Sequence, residues 1–307
     1  MSLVNKFIDS SDFLTATAVY DDVTLITKSA DGYYQSNGSY RQQLNGILGP
    51  AVLCEECGIP CGGTLNPPGG EDGLYQLTFS AGTDPADIGA ILVYFDPKSI
   101  PDGIRVLYNG VYYNRLASPT DGNRQSTSGV SDAFTVLGDI TDGCLPSTPN
   151  TSNYTFYDSF NGAWNVGTPS PQSATLNTGD YVGGGEDEFS VMVIPKPTRL
   201  PGNVTLEVLG PCGSTGWDVE VVCPAALPSF FGKENGVGNI SCGTTTVKFY
   251  FARFRNAVNA YPVINNPVFS DQFGQNHAID QNYLMDNGQV ITVTNGVVSN
   301  IQACDPT

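Results

Sequence analysis

Leu74 to Phe79 (LYQLTF), Ala90 to Phe95 (AILVYF), Ile104 to Tyr108, Phe134 to Leu137, Phe189 to Ile194, Val204 to Leu209, Val219 to Val222 and Val247 to Phe254 are short runs rich in β-branched and aromatic residues, and turn-forming residues bound each of them. Runs of this length and make-up are strands: branched and aromatic side chains pack well on a pleated surface, and Gly, Pro, Asn and Asp interrupt it. No stretch keeps helical periodicity beyond about two turns. The charged fraction is only 14%, against 35 Gly and 21 Pro, which leaves little Glu, Lys or Arg for the solvent faces of helices. The chain therefore reads as all-β. Two turns are specified outright: Pro101-Asp102-Gly103, and Tyr108-Asn109-Gly110, after which Val111-Tyr112-Tyr113 returns as a hairpin partner.

At 307 residues the chain exceeds one ordinary core and suits two or three domains. A repeat relates its ends. Val19-Tyr20-x-Asp22, Ala30-Asp31-Gly32-Tyr33-Tyr34, Asn45-Gly46-Ile47-Leu48 and Cys54 are echoed by Val268-Phe269-Ser270-Asp271, Ala278-x-Asp280 with Tyr283, Asn295-Gly296-Val297-Val298 and Cys304. Gly46 to Cys54 and Gly296 to Cys304 are both eight positions, and the two spans from valine to cysteine differ by one residue. We read this as duplication of a small β-meander. The expected organisation is an N-terminal β module with a cysteine cluster (1–62), a central β-sandwich, jelly-roll-like (63–224), and a C-terminal β module related to the first (225–307). The stretch Gly62 to Gly70 reads as a linker.

A formal net charge of −17 repels phosphate backbones and anionic lipid, so neither nucleic acid nor membrane is an expected partner. Met1 to Phe13 has no apolar core long enough for a signal peptide, and no run approaches the roughly 18 apolar residues of a membrane span. Yet there are eight cysteines. Cys54, Cys57 and Cys61 in CEECGIPCGG leave three readings open: disulfide staples, three thiolates for a zinc ion, or free thiols. Cys212 and Cys223 flank a hairpin they could close, Cys242 and Cys304 bracket the C-terminal module, and Cys144 could meet any of the first three.

No cofactor is expected. His277, the sole histidine, would have to serve any Ser-His-Asp or Cys-His pair, yet it aligns with nothing catalytic in the first repeat and reads as an ordinary loop residue. The densest acidic site, Glu186-Asp187-Glu188, follows three glycines and reads as a solvated turn rather than a carboxylate pair or a calcium loop. No phosphate-binding glycine loop follows a strand. Trp164, Trp217 and the tyrosines could stack on sugars, although aromatics in sandwiches more often lie in the core. The sequons at Asn37, Asn150, Asn153, Asn203 and Asn239 matter only in a eukaryotic secretory pathway.

Asp31 to Cys57, DGYYQSNGSYRQQLNGILGPAVLCEEC, resembles a module of virion structural proteins of tailed phages, notably those of aquatic cyanobacteria and Bacteroidetes. Val93 to Pro97, Ile100 to Val106, Val193 to Lys196 and Leu209 to Cys212 are similar to their sandwich domain, and the tail from Val268 to their C-terminal repeat. Ile279-Asp280-Gln281 departs from the pattern, where Asp-Gly would be expected. The resemblance carries over no catalytic residue. It implies a non-enzymatic tail-fibre or capsid or tail decoration protein, made in the host cytoplasm without a signal peptide and carried in the virion. Its expected partners are other virion proteins, further copies of itself (a trimer is favoured) and host surface glycans. A carbohydrate-binding adhesin, a component of a phage-tail-like contractile injection apparatus and, more remotely, a glycan hydrolase are the alternatives.

Overall fold

The computed structural model describes residues 6–10, 13–36, 39–53, 59–65, 72–125, 132–138, 150–160, 163–168, 170–176, 181–183 and 188–306. As expected, it is all-β. Two sheets face each other in the middle of the chain. One has the order Gly122–Gln125, Arg115–Ser118, Ser190–Lys196, Gly89–Asp96, Asp218–Ala225, Thr64–Leu65. The other is built around Gly73–Ser80, Asn203–Gly210, Asp102–Tyr108 and Thr135–Gly138 in that order, with Asn150–Phe160 extending it beyond Gly73–Ser80. The principal strands alternate between the sheets: 73–80, 102–108, 135–138 and 203–210 lie in one, and 89–96, 115–118, 190–196 and 218–225 in the other. Numbered one to eight in chain order, the strands 73–80, 89–96, 102–108, 115–118, 122–125, 135–138, 190–196 and 203–210 lie 1-8-3-6 in one sheet and 2-7-4-5 in the other. This is the jelly-roll order, as expected, with 218–225 added beside 89–96. The core between the sheets includes Leu77, Phe79, Ile91, Val93, Phe95, Ile104, Val106, Leu116, Met192, Ile194, Leu206, Val208, Trp217 and Val219, all nearly or wholly inaccessible.

The first domain boundary lies earlier than the sequence suggests. Ile59–Pro60 pairs with Phe79 and Ser80 in one sheet, and Thr64–Leu65 pairs with Glu220 and Val219 in the other. Residues 59–65 therefore belong to the sandwich, since both short segments take up hydrogen bonds at its sheets.

The run AILVYF has no polar face, although a sandwich buries only one. Ile91, Val93 and Phe95 point into the core, whereas Ala90, Leu92 and Tyr94 point out, and the C-terminal module covers them. Tyr94, Ala117 and Val191 pack with Phe254 and Val297, and Ala90 packs with Leu227, Ala252 and Phe269. The Tyr94 hydroxyl donates to the Arg253 carbonyl at 3.0 Å, and Asn265 Nδ2 donates to the Pro119 carbonyl at 2.7 Å. Polar groups at this seam are thereby paired rather than stranded. The sandwich and the C-terminal module thus form three layers, with Gly89–Asp96 apolar on both sides.

The C-terminal module is a small barrel. Its strands run Val268–Phe269, Val247–Phe251, Ser229–Gly236, Asn282–Met285, Gln289–Thr294, Val297–Ala303, and a bridge between Pro267 and Val297 closes the ring. The N-terminal module repeats this frame. Asp22 accepts backbone N–H groups from Thr24, Ile26 and Thr27, and Asp271 accepts them from Phe273, Gln275 and Asn276, the same positions two, four and five residues on. Ser29 N donates to the Val19 carbonyl, as Ala278 N does to Val268. Leu48 N donates to Thr17, as Val298 N does to Asn266. Asp31 receives the Asn45 and Gly46 amides, and Asp280 the Gly296 amide. Both Asn-Gly pairs turn at positive φ, 52° and 68° in the first copy, 51° and 71° in the second, a conformation that Asn and Gly adopt with little strain.

The copies differ in their cores. Ile291 and Val293 fill the second; Arg41 and Gln43 occupy the matching places in the first. Arg41, buried, donates to the carbonyls of Phe13 and Ala16 at 2.7 Å, Gly49 at 2.6 Å and Leu48 at 3.3 Å. Gln43 accepts from Val19 N and donates to the Ser29 carbonyl, both at 2.7 Å. A charged hub here replaces apolar packing. Removing it strands carbonyls that water cannot reach, and each such group costs about 1–3 kcal/mol. We therefore expect Arg41→Ala to destabilise the N-terminal module by about 3 kcal/mol or more, seen as protease cleavage within residues 6–53 while the remainder of the chain resists. Wild-type resistance there would contradict the hub.

Cys242 and Cys304 form a disulfide, as the spacing suggested. Cys223, however, bonds Cys61 rather than Cys212, because Gly62 N bonds the Val221 carbonyl and so brings Cys61 beside Cys223. Cys212 is disulfide-bonded as well. The second-copy bond closes a span of 62 residues, worth about 4 kcal/mol of unfolded-state entropy. Replacing Cys242 and Cys304 together by Ser should lower stability by up to that amount in equilibrium denaturation, and intact mass with and without reductant checks that the bond forms.

Candidate functional site

Where the barrel meets the sandwich a cleft of about 270 Å³ opens, lined by Tyr112, Tyr113, Arg115, Asn123, Gln275 and His277 among others. The hairpin read from Tyr-Asn-Gly supplies the tyrosines. Asn109 and Gly110 sit at φ 49° and 74°, Tyr108 pairs with Val111, and Tyr112 and Tyr113 follow on the returning strand. Arg105 lies over the Tyr112 ring at 4.4 Å and the Phe134 ring at 4.2 Å and pairs with Glu207 at 2.5 Å. These contacts fix the tyrosine's orientation. Arg115 Nε donates to Asn123 Oδ1 at 2.7 Å, and its guanidinium also donates to the Asn295 carbonyl, so one side chain joins sandwich and barrel.

His277 occupies the barrel side. It corresponds to Lys28 in the first repeat: each bridges back to the residue after the module's valine (Tyr20 or Phe269), and each lies against the glycine of the Asn-Gly turn. Its ring packs on Phe269 with centroids 4.5 Å apart. Burial, followed by the Arg115 charge, holds the imidazole down to about 4, so it is neutral near pH 7. The cleft therefore offers aromatic faces, one cation, amides and a neutral imidazole. That set suits a hydroxylated, uncharged or weakly acidic ligand, held by stacking and hydrogen bonds.

The other residues singled out from sequence lie elsewhere. Trp217 is buried, and Trp164 is half-buried against it at 5.8 Å, with Tyr75 and Phe160 completing an aromatic cluster at the end of the sandwich. Neither indole is an open stacking face. Glu188 accepts from the hydroxyls of Ser118 and Thr120 and lies 3.6 Å from Arg124, so it is held in a local network; Glu186 and Asp187 lie outside the described residues. Cys61 is oxidised to a disulfide and has no thiolate to give a zinc ion, which removes the three-thiolate reading, while Cys54, Cys57 and Cys144 lie outside the described residues. Asp102, from the Pro-Asp-Gly turn, was not anticipated as special. It is buried, accepts from the Thr215 hydroxyl, and burial raises its carboxyl well above the usual range. Arg115 and Gln275 had no signal in sequence, since the cleft exists only through docking of two modules.

The lowered histidine carries a pH consequence. Its unfolded value is about 6.5, so as pH falls the unfolded chain takes the proton first and stability is lost between about 6.5 and 4. The loss amounts to at most about 3 kcal/mol. His277→Gln should flatten that part of the stability profile, and proton NMR of the single imidazole should give its midpoint near 4. A midpoint near 6.5 would show the ring to be solvated.

Comparison with known proteins finds no matching family model, no similar curated protein and no similar solved structure.

Proposed function

We propose that this protein is a non-enzymatic structural component of a virus particle, a tail fibre or a capsid or tail decoration, which makes assembly contacts or attaches to the host surface. The observation that carries the reading is the architecture itself. One small module occurs twice, before and after a sandwich along the chain, and the second copy is fastened to that sandwich by an apolar seam and to itself by a disulfide. Such a build spends its residues on shape and contact area. The net charge of −17 keeps like particles apart and disfavours nucleic acid. The resemblance of Asp31 to Cys57 and of the tail to phage virion modules adds the particle.

A second reading, a carbohydrate-binding adhesin, draws on the cleft with Tyr112, Tyr113 and Arg115. The two readings merge if the particle grips its host through this cleft. Antibody labelling of purified parent particles tests the first: decoration at a fixed position is expected, and absence of the chain from washed particles would refute it. A glycan array tests the second. Binding should fall at least about tenfold on Tyr112→Ala or Arg115→Ala, and equal binding by the variants would move any sugar site elsewhere.

A further inference from the structure

The two modules share a frame but not a strand count. In the C-terminal barrel, Ser229–Gly236 lies between Val247–Phe251 and Asn282–Met285 and pairs antiparallel with both. The repeat maps Val247–Phe251 onto Phe7–Ile8, which pairs with Val19–Tyr20 as 250–251 pair with 268–269. It maps Asn282–Met285 onto Gly32–Ser36. Among the described residues nothing lies between Phe7–Ile8 and Gly32–Ser36, and the N-terminal module is divided into a two-stranded and a four-stranded sheet at that place. Among the described residues it is the same barrel lacking one strand.

The side chains beside this lane are exposed accordingly. Tyr34 and Ile8 are only half-buried, whereas their counterparts Tyr283 and Phe251 are 1% and 0% exposed beneath Phe230 of the extra strand. Phe7 and Tyr33, beside the same lane, are 36% and 69% exposed. An edge strand with free amides and apolar neighbours is a template for a further strand.

We propose that this lane accepts an extended segment of a different polypeptide, which completes the N-terminal barrel by strand addition. The internal copy specifies what fits. The segment runs antiparallel to both edges and places an apolar, preferably aromatic, residue inward at the position of Phe230, with polar residues outward as at Lys233 and Glu234. A second copy of this chain is a poor donor: the segment of matching form, Ser229–Gly236, is already paired on both sides, and giving it up would open its own barrel. The inference stands whether or not the protein belongs to a virion.

The test uses the full chain and a synthetic peptide of residues 228–237, followed by hydrogen exchange. The peptide should slow amide exchange in 32–36 and 7–8 by about tenfold or more, and the peptide carrying Phe230→Asp should not. Unchanged exchange at saturating peptide overturns the proposal, as does protection confined to 247–251 and 282–285, where the peptide would only be replacing its parent strand. Protection of 32–36 that grows with protein concentration in the absence of peptide would assign the lane to a second copy instead.

Discussion

The burial of Gly89–Asp96 on both faces is the constraint around which the molecule is arranged. A strand flanked by two strands and covered above and below must be apolar throughout, and AILVYF is. Its outward residues, Ala90, Leu92 and Tyr94, would form an apolar patch on an isolated sandwich, a surface that soluble proteins rarely leave open. The barrel covers it. Position and orientation of the barrel then follow from the fit of Phe254, Val297, Leu227 and Phe269 against that patch, and the cleft between Tyr112 and His277 is what the fit leaves over.

Much of this was legible in the residues, and what was not has identifiable causes. Strands 74–79, 90–95 and 204–209, the Asn-Gly hairpin at 109–110 and the Cys242–Cys304 bond were readable because each depends on local pattern or on a repeat. The duplication was readable from Asn-Gly and cysteine spacing, and the hydrogen bonds of Asp22 and Asp271 give it a structural cause. The run AILVYF is apolar on both faces because of a third layer, which no periodicity encodes. Cys61 meeting Cys223 depends on pairing between residues 162 apart. Trp217 was a candidate by type and lies in the core, with Trp164, another candidate, packed half-buried against it. The cleft was invisible because its halves come from separate modules.

The two copies show one frame tolerating opposite solutions at its centre. Where the C-terminal barrel has Ile291 and Val293, the N-terminal module has Arg41 and Gln43. Buried charge is costly unless every donor is used, and Arg41 uses its donors on backbone carbonyls of the loop before Val19 and of the Leu48 turn. A polar hub of that kind is directional, so it can hold the loops of an incomplete sheet in register where apolar packing, having lost Phe230's counterpart, would be weaker.

The Cys61–Cys223 bond has a mechanical meaning. A pull on the N-terminal module enters the sandwich at Ile59–Pro60, an edge segment held by two residue pairs that would peel apart under modest force. At the very next residue the covalent link hands the load to Asp218–Ala225, a strand clasped along its length by Gly89–Asp96. Tension is thus diverted from a seam that would unzip to one that must be sheared.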